Sequence, residues 1–322
     1  GNTMIGRECG DGFDAETHNL AIGVAAFGGA VNGGEYNVAI GNYALDAVTT
    51  ADGAVAVGYQ AGSALTTGSS FVGIGHQAGL LVTTGHNTIA IGNGACDGFD
   101  TESGNIGIGS SALGGASLAG GEYNVAIGTD TLDVLTSGDK NTAVGHNAGT
   151  DLTESSNSTL IGHTAGHNIT TGTANTGIGD ATLTDCTTGY GNTALGAVAG
   201  DNLTDGTNSL FLGQDTKAST GSASVQFVIG HNVTSNGNST TTIGYDTTEI
   251  ATNHGSASWA AVSDERYKKD IADSTAGLSF IDDLRPVTFK FKQKNELATD
   301  IYGYDANSTD TDGYTDEIAH GF

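Results

Sequence analysis

The chain has 322 residues, of which 52 are glycine, one is proline and 7% are aromatic, and its formal charge is -26. That composition fits neither an enzyme core nor a collagen, and the acidity disfavours nucleic acid and anionic lipid as partners. The three cysteines, Cys9, Cys96 and Cys186, are odd in number and far apart. This argues against a disulfide framework, for folding in a reducing compartment, and shows no zinc spacing.

From Gly6 onward one phrase recurs, Asn-x-Ala-Ile-Gly in its fullest form. Its anchor glycines are Gly6, Gly23, Gly41, Gly58, Gly75, Gly92, Gly109, Gly128, Gly145, Gly162, Gly179, Gly196, Gly213, Gly230 and Gly244. The ruling period is 17 residues, with steps of 18 before Gly41, 19 before Gly128 and 14 before Gly244. A fixed period of this size means a stack of coils, so the length is not read as two globular domains. The expectation is an all-β parallel β-solenoid or β-roll of about fourteen coils, roughly 65–70 Å long at about 4.8 Å per rung.

Each coil places an aliphatic residue directly before the glycine and, in the second to eighth coils, another three before it, with a small residue between, as in Val38-Ala39-Ile40. Aliphatic, small, aliphatic is a short strand with one face in a core and the other held close to a neighbour. The small residues are read as surfaces meeting sister chains. Glycine at the anchor suits a corner with positive φ, and segments such as Leu65 to Gly68 and Ile169 to Gly172 supply the return turn. One coil alone could not bury its aliphatic positions, so neighbouring coils stabilise one another.

A longer repeat lies above the first. Gly33 to Gly41 reappears unchanged as Gly120 to Gly128, and Cys9 to Phe13 is echoed by Cys96 to Phe99. The 87-residue offset is five coils, which reads as block duplication that lengthens a shaft.

The phrases Asn37 to Gly41, Asn124 to Gly128 and Asn141 to Gly145 resemble the head repeats of trimeric autotransporter adhesins, the YadA-like heads. The resemblance covers residues 2–244 and implies left-handed parallel β-rolls packed as three chains. Seventeen-residue versions of the phrase are also similar to bacteriophage tail-fibre sequences.

Near residue 260 the composition changes. Residues 1–262 hold 23 acidic residues and only Arg7, Lys140 and Lys217 as bases, whereas the remaining sixty hold 13 acids and seven bases. The expected domains are a shaft at 1–250, a connecting segment at 251–262 and a small α+β module at 263–322. Within the module, Thr275 to Leu284 reads as a short helix with Leu278, Ile281 and Leu284 on one face, ended before Pro286. Val287, Phe289 and Phe291 then alternate with polar residues as a strand.

Three motifs in order, Ser263-Asp-Glu-Arg-Tyr-Lys268, Gly277 to Pro286 and His320-Gly-Phe322, resemble the intramolecular chaperone domain that ends phage endosialidases, tail fibres and tailspikes. That resemblance implies a homotrimer whose chaperone cuts itself away before the serine, so the scissile bond is Val262–Ser263. A serine hydroxyl needs a base to remove its proton, and a lysine with a pKa lowered by burial can serve. Ser263 is therefore expected as nucleophile and Lys268 as base, with Lys269 the second candidate and Asp264, Arg266 and His320 as supporting residues. Ser263 and Lys268 taken without these motifs would read as surface residues.

The chain opens at Gly1 already inside a repeat, shows no signal peptide and has no apolar run of eighteen residues, so it reads as an excerpt from a longer protein. His76, His146, His163 and His231 each follow an anchor glycine and would line up along the shaft, as metal-binding rings or, more plainly, as a solvated face. The Asp-rich turns, Asp97 to Asp100 and Asp130 to Asp139, lack the spacing of calcium-binding β-rolls. No cofactor or metal is assigned. Tyr36, Tyr43, Tyr59, Tyr123 and Tyr190 are candidates for sugar contact outside the core, against packing on neighbouring rungs. No glycosidase-type carboxylate pair can be placed among periodic acids.

The expected function is a trimeric virion shaft for host attachment, folded in the host cytoplasm. Its expected partners are itself, other tail proteins and a host polysaccharide or protein receptor. The alternatives are a bacterial surface adhesin and the shaft of a polysaccharide-degrading tailspike.

Overall fold

The computed structural model describes residues 1–12, 16–98, 100–115 and 120–256 in full, with the backbone of three further strands, Ala260–Ala261, Val287–Phe289 and Ala319–Gly321. The chain divides into two compact units, Gly1–Val262 and Ser263–Phe322. Among the described residues there is no helix, and so none long and apolar enough to cross a membrane.

The first unit is an all-β parallel solenoid of about fourteen coils. Each aliphatic, small, aliphatic triplet is a three-residue strand: β1 (Thr3–Ile5), β2 (Leu20–Ile22), β3 (Val38–Ile40), β4 (Val55–Val57), β5 (Val72–Ile74), β6 (Ile89–Ile91), β7 (Ile106–Ile108) and β8 (Val125–Ile127). Five more follow, β9 (Thr142–Val144), β10 (Thr159–Ile161), β11 (Thr176–Ile178), β12 (Thr193–Leu195) and β13 (Leu210–Leu212). β14 (Phe227–His231) and β15 (Thr240–Tyr245) are longer. All fifteen pair parallel and in register, so that Val38 faces Val55, and Val55 faces Val72. The last coil is the short one of 14 residues, which sets Phe227 opposite Thr241.

The stack ends by changing direction. β16 (Thr248–Asn253) folds back antiparallel on β15, and β17 (Ala260–Ala261) pairs antiparallel with β16, Ile250 opposite Ala261. This hairpin covers one edge of the terminal strand with backbone hydrogen bonds.

Side-chain directions reverse the expectation for the triplets. The small central residue points into the coil, with Ala39, Ala56, Ala90, Ala126 and Ala143 all fully buried. The flanking aliphatics point outward and stay partly exposed. The cause is volume. Inside each coil the space opposite the strand is filled by the alanine column Ala44, Ala61, Ala78 and the larger column Val48, Leu65, Val82, Leu135, Leu152 and Ile169. Between these layers a methyl or a hydrogen usually stands, and the larger central residues Leu160 and Phe211 fit where glycines make room: a Cβ at Gly166 would stand 2.7 Å from Leu160 and one at Gly200 3.0 Å from Phe211. Phe71, one residue before its strand, is met in the same way, with its ring where a Cβ at Gly62, Gly73 or Gly79 would stand 2.5–2.7 Å away.

The asparagine of the repeated phrase is also internal. Asn37 is 1% exposed; its Nδ2 donates to the Ala51 carbonyl at 2.8 Å and its Oδ1 accepts the Ala54 N–H at 2.8 Å. Asn105, Asn124, Asn141, Asn175 and Asn192 repeat this pattern, each tying its coil to the next. Narrow coils leave inward backbone groups away from water, and a side-chain amide, with donor and acceptor together, satisfies both kinds. On another corner the hydroxyls of Thr136, Thr153 and Thr170 each donate to the carbonyl of the threonine one coil on, at 2.9–3.1 Å.

The anchor glycines from Gly6 to Gly230 have φ between 120° and 145°, a region that only glycine adopts without strain. A Cβ at Gly58 would also collide with the carbonyl of Gly75. One strained corner per coil therefore fixes the glycine in every copy of the phrase.

Candidate functional site

The outward residues of the strands form two columns along the shaft. The column next to the anchor glycine leaves Ile74, Ile127, Ile161, Ile178, Leu195, Leu212 and Ile243 between 37% and 44% exposed. The parallel column runs Val38, Val55, Val72, Ile89, Ile106 and Val125, then turns to Thr142, Thr159, Thr176 and Thr193. A flat apolar stripe spanning some fifteen rungs is far longer than the patches that isolated soluble chains expose.

The residue after the anchor glycine begins a turn and points to solvent. In three places two successive coils put planar side chains there, and the rings stack. Tyr59 and His76 have centroids 5.3 Å apart at 23°, His146 and His163 5.5 Å apart at 10°, and His231 and Tyr245 5.3 Å apart at 21°. His163 Nδ1 also lies 3.0 Å from Asp180 Oδ1 on the following coil. The five tyrosines named from sequence are all outside the core, Tyr36 stacked on His18 and Tyr43 set edge-on to Tyr59.

Beside Tyr43 lies a recess of about 200 Å³ lined also by Glu8, Asp11, Gly28 and Asp46, in which burial raises the Asp46 pKa. The duplicated block holds a related arrangement. Asp97 and Asp133 sit two coils apart with Gly114 between them, and a side chain at Gly114 would meet Asp133 Oδ1 at 3.1 Å. Burial, then the neighbouring Asp133 charge, raises Asp97 to about 6; burial, then Asp130, raises Asp133. Among the described residues no three His, Cys, Asp or Glu side chains gather closely enough to hold a metal ion. The cysteines are free, and burial pushes the Cys186 thiol up to about 11, which leaves it unreactive at neutral pH.

Val262, Ser263, Asp264, Arg266, Lys268 and Lys269 lie outside the described residues, as does the helix expected at Thr275 to Leu284. Two strands of the second unit are described. β18 (Val287–Phe289) pairs antiparallel with β19 (Ala319–Gly321), and Thr288 is opposite His320. The segment just after Pro286 and the His-Gly element, remote in sequence, thus share one ladder.

What the sequence reading missed is the column one step beyond the rings. Gln60 and Gln77 lie beside Tyr59 and His76, joined Nε2 to Oε1 at 3.1 Å. Asn147 and Thr164 take these places beside the second pair, and Asn232 and Asp246, joined at 2.7 Å, beside the third. The signal was present as a ring followed by a polar residue after the glycine.

Residues 263–308 match the family described as Chaperone of endosialidase. Neither a curated protein nor a solved structure matches the chain. The matched segment begins at the residue where the second compact unit begins. A parallel β-solenoid followed by this chaperone segment fits a tail-fibre- or tailspike-like protein.

Proposed function

We propose that this chain is the shaft of a homotrimeric bacteriophage tail fibre that carries the virion to its host surface, assembled by a C-terminal chaperone that then removes itself. The observation that carries the reading is the chaperone match at residues 263–308 directly after a solenoid whose outer strand face keeps one aliphatic column on every rung. Three copies of that face, turned toward one axis, bury each other's aliphatic columns, and a chaperone is what three long, slowly aligning chains require. The receptor is a surface polysaccharide or protein, and the far ends of the fibre join other tail proteins.

Self-removal follows from the residues at the junction. The Ser263 hydroxyl attacks the Val262 carbonyl carbon while Lys268 takes its proton. The carbon–nitrogen bond then breaks, the proton passes to the freed Ser263 amine, and Val262 is left as an ester on the Ser263 oxygen. Water hydrolyses that ester, giving a shaft ending in the Val262 carboxylate and a chaperone beginning at Ser263. Asp264, Arg266 and His320 orient the site. Loss of the assembler leaves chains with no easy route to separate and realign, so the product is kinetically trapped.

The test is expression of the full-length gene with and without Ser263→Ala, followed by denaturing gels and light scattering. The expected result is a wild-type shaft cut after Val262 and trimeric, with the variant trimeric but uncut. An uncut wild type would remove the protease role, and a monomeric shaft would remove the fibre reading.

A further inference from the structure

The stacked ring pairs behave unlike the other ladders of the shaft. Asparagines and threonines that tie coils together run through many consecutive rungs, whereas the rings occur as isolated pairs that begin after Gly58, Gly145 and Gly230, five coils apart each time. Five rungs are roughly 24 Å at about 4.8 Å each. A ladder built for stability gains from continuity, because each added rung stacks on both neighbours; isolated pairs gain one contact each. Their exposure is high, with Tyr59 at 44% and Tyr245 at 69%.

Each pair is accompanied by polar side chains on the adjacent column: the Gln60–Gln77 amides, the Thr164 hydroxyl with the Asn147 amide nitrogen (the Asn147 Oδ1 is enclosed), and Asn232 with Asp246. A planar ring bordered by groups that both donate and accept is the chemistry that recognises a pyranose. The apolar C–H face of the sugar lies on the ring, and its hydroxyls bond to the amide or carboxyl edge. At the first pair the edge-on Tyr43 extends this surface to the recess holding Asp46, Asp11 and Glu8. With 23 acids and three bases in residues 1–262, the shaft repels anionic sugars, while an ammonium on a sugar would be drawn to both the rings and the carboxylates.

We infer that one edge of the shaft carries three glycan-binding platforms, built by Tyr59–His76, His146–His163 and His231–Tyr245, that take a neutral or amino-bearing polysaccharide. The inference rests on the host-attachment reading and names the class of ligand. Each platform is weak by itself; a polymer that reaches several of them, on one or more chains of the fibre, converts weak contacts into firm adhesion through effective concentration.

The test uses the full-length trimer and three probes: a glucosamine hexamer, cellohexaose and a galacturonic acid hexamer. Ring-proton NMR and calorimetry are measured on wild type, on Tyr59→Phe, and on the double variant Tyr59→Ala with His76→Ala, each checked for trimer formation by light scattering. The expected result is binding of the amino or neutral hexamer with shifts of the Tyr59 and Tyr245 ring protons. Affinity should fall tenfold or more in the double variant and be retained in Tyr59→Phe. Preference for the galacturonic acid probe, unchanged binding in the double variant, or no binding by any probe would overturn it. In those cases fibre adhesion to whole cells shows whether the attachment reading survives with its receptor site elsewhere.

Discussion

The carboxylate of Glu102 accepts the backbone N–H of Gly120 at 3.0 Å, and in the duplicated block Glu16 accepts that of Gly33 at 2.8 Å. Both glutamates are at least nine-tenths buried, and both serve the coils that run longer than 17 residues, those ending at Gly41 and Gly128. In both places the carboxylate supplies an acceptor to the glycine that opens the Gly-Gly-Glu-Tyr-Asn phrase. Glu102 also takes the N–H groups of Asp100 and Thr101, at 2.9 and 3.0 Å.

Glu102→Ala therefore leaves three donors unserved in a partly closed turn. The expected loss is about 1–3 kcal/mol per donor that water cannot reach. Denaturant melts of wild type and variant measure it. Glu102→Gln, which keeps one acceptor oxygen, should lie between them; a variant as stable as wild type would refute the role.

Phe71 and its three glycines form a matched set. Phe71→Ala is expected to cost about 3–5 kcal/mol through the cavity it leaves. Gly73→Ala, which overpacks the ring, should cost about 1–3 kcal/mol. The double variant should be more stable than the sum of the two losses, because a methyl at position 73 partly refills the space. Strict additivity in thermal unfolding would contradict the packing described.

The outward columns predict opposite results for adjacent residues. Ile161→Lys with Ile178→Lys should leave the coils folded by circular dichroism and reduce the proposed trimer to monomers in light scattering. Ala143→Leu, one face over, should destabilise each chain itself, since that position is fully buried within its coil. Trimers surviving the lysine pair would place the interface on another face.

Asp97 predicts a pH effect. Its folded pKa of about 6 lies above the ordinary 3.8, so the folded chain holds a proton that the unfolded chain has lost between these values. Ionisation is thus a penalty on the fold at neutral pH, relieved as pH falls from about 6 to 3.8. Asp97→Asn should raise the melting temperature at pH 7.5 and leave it nearly unchanged at pH 4. An equal shift at both values would assign the effect to something other than this carboxyl.

Much of the shaft was legible because its signal repeats. The triplet Val38-Ala39-Ile40 marked a strand, Gly41 a corner, and the 17-residue step a parallel register; each recurs often enough to average away local exceptions. Asn37 was visible as part of the phrase yet had no assigned role, since an asparagine reads as turn or surface until the coil around it is known. The amides beside the rings were hidden for a similar reason: Gln60 and Gln77 are 17 residues apart and meet only when coils stack.

The sequence by itself determined the period, the strand positions, the register and the change of character near Ser263, because alternation and spacing are properties of the chain. Period-two alternation says which residues share a face, but the same pattern serves either face turned inward. Only the tertiary structure decided that the alanines go in and the aliphatics out, because the choice depends on the volume left by the columns of Ala44 and Leu65 across each coil. It likewise decided the antiparallel end at β16 and β17 and the meeting of rings from successive coils, since these depend on neighbours that no local pattern names.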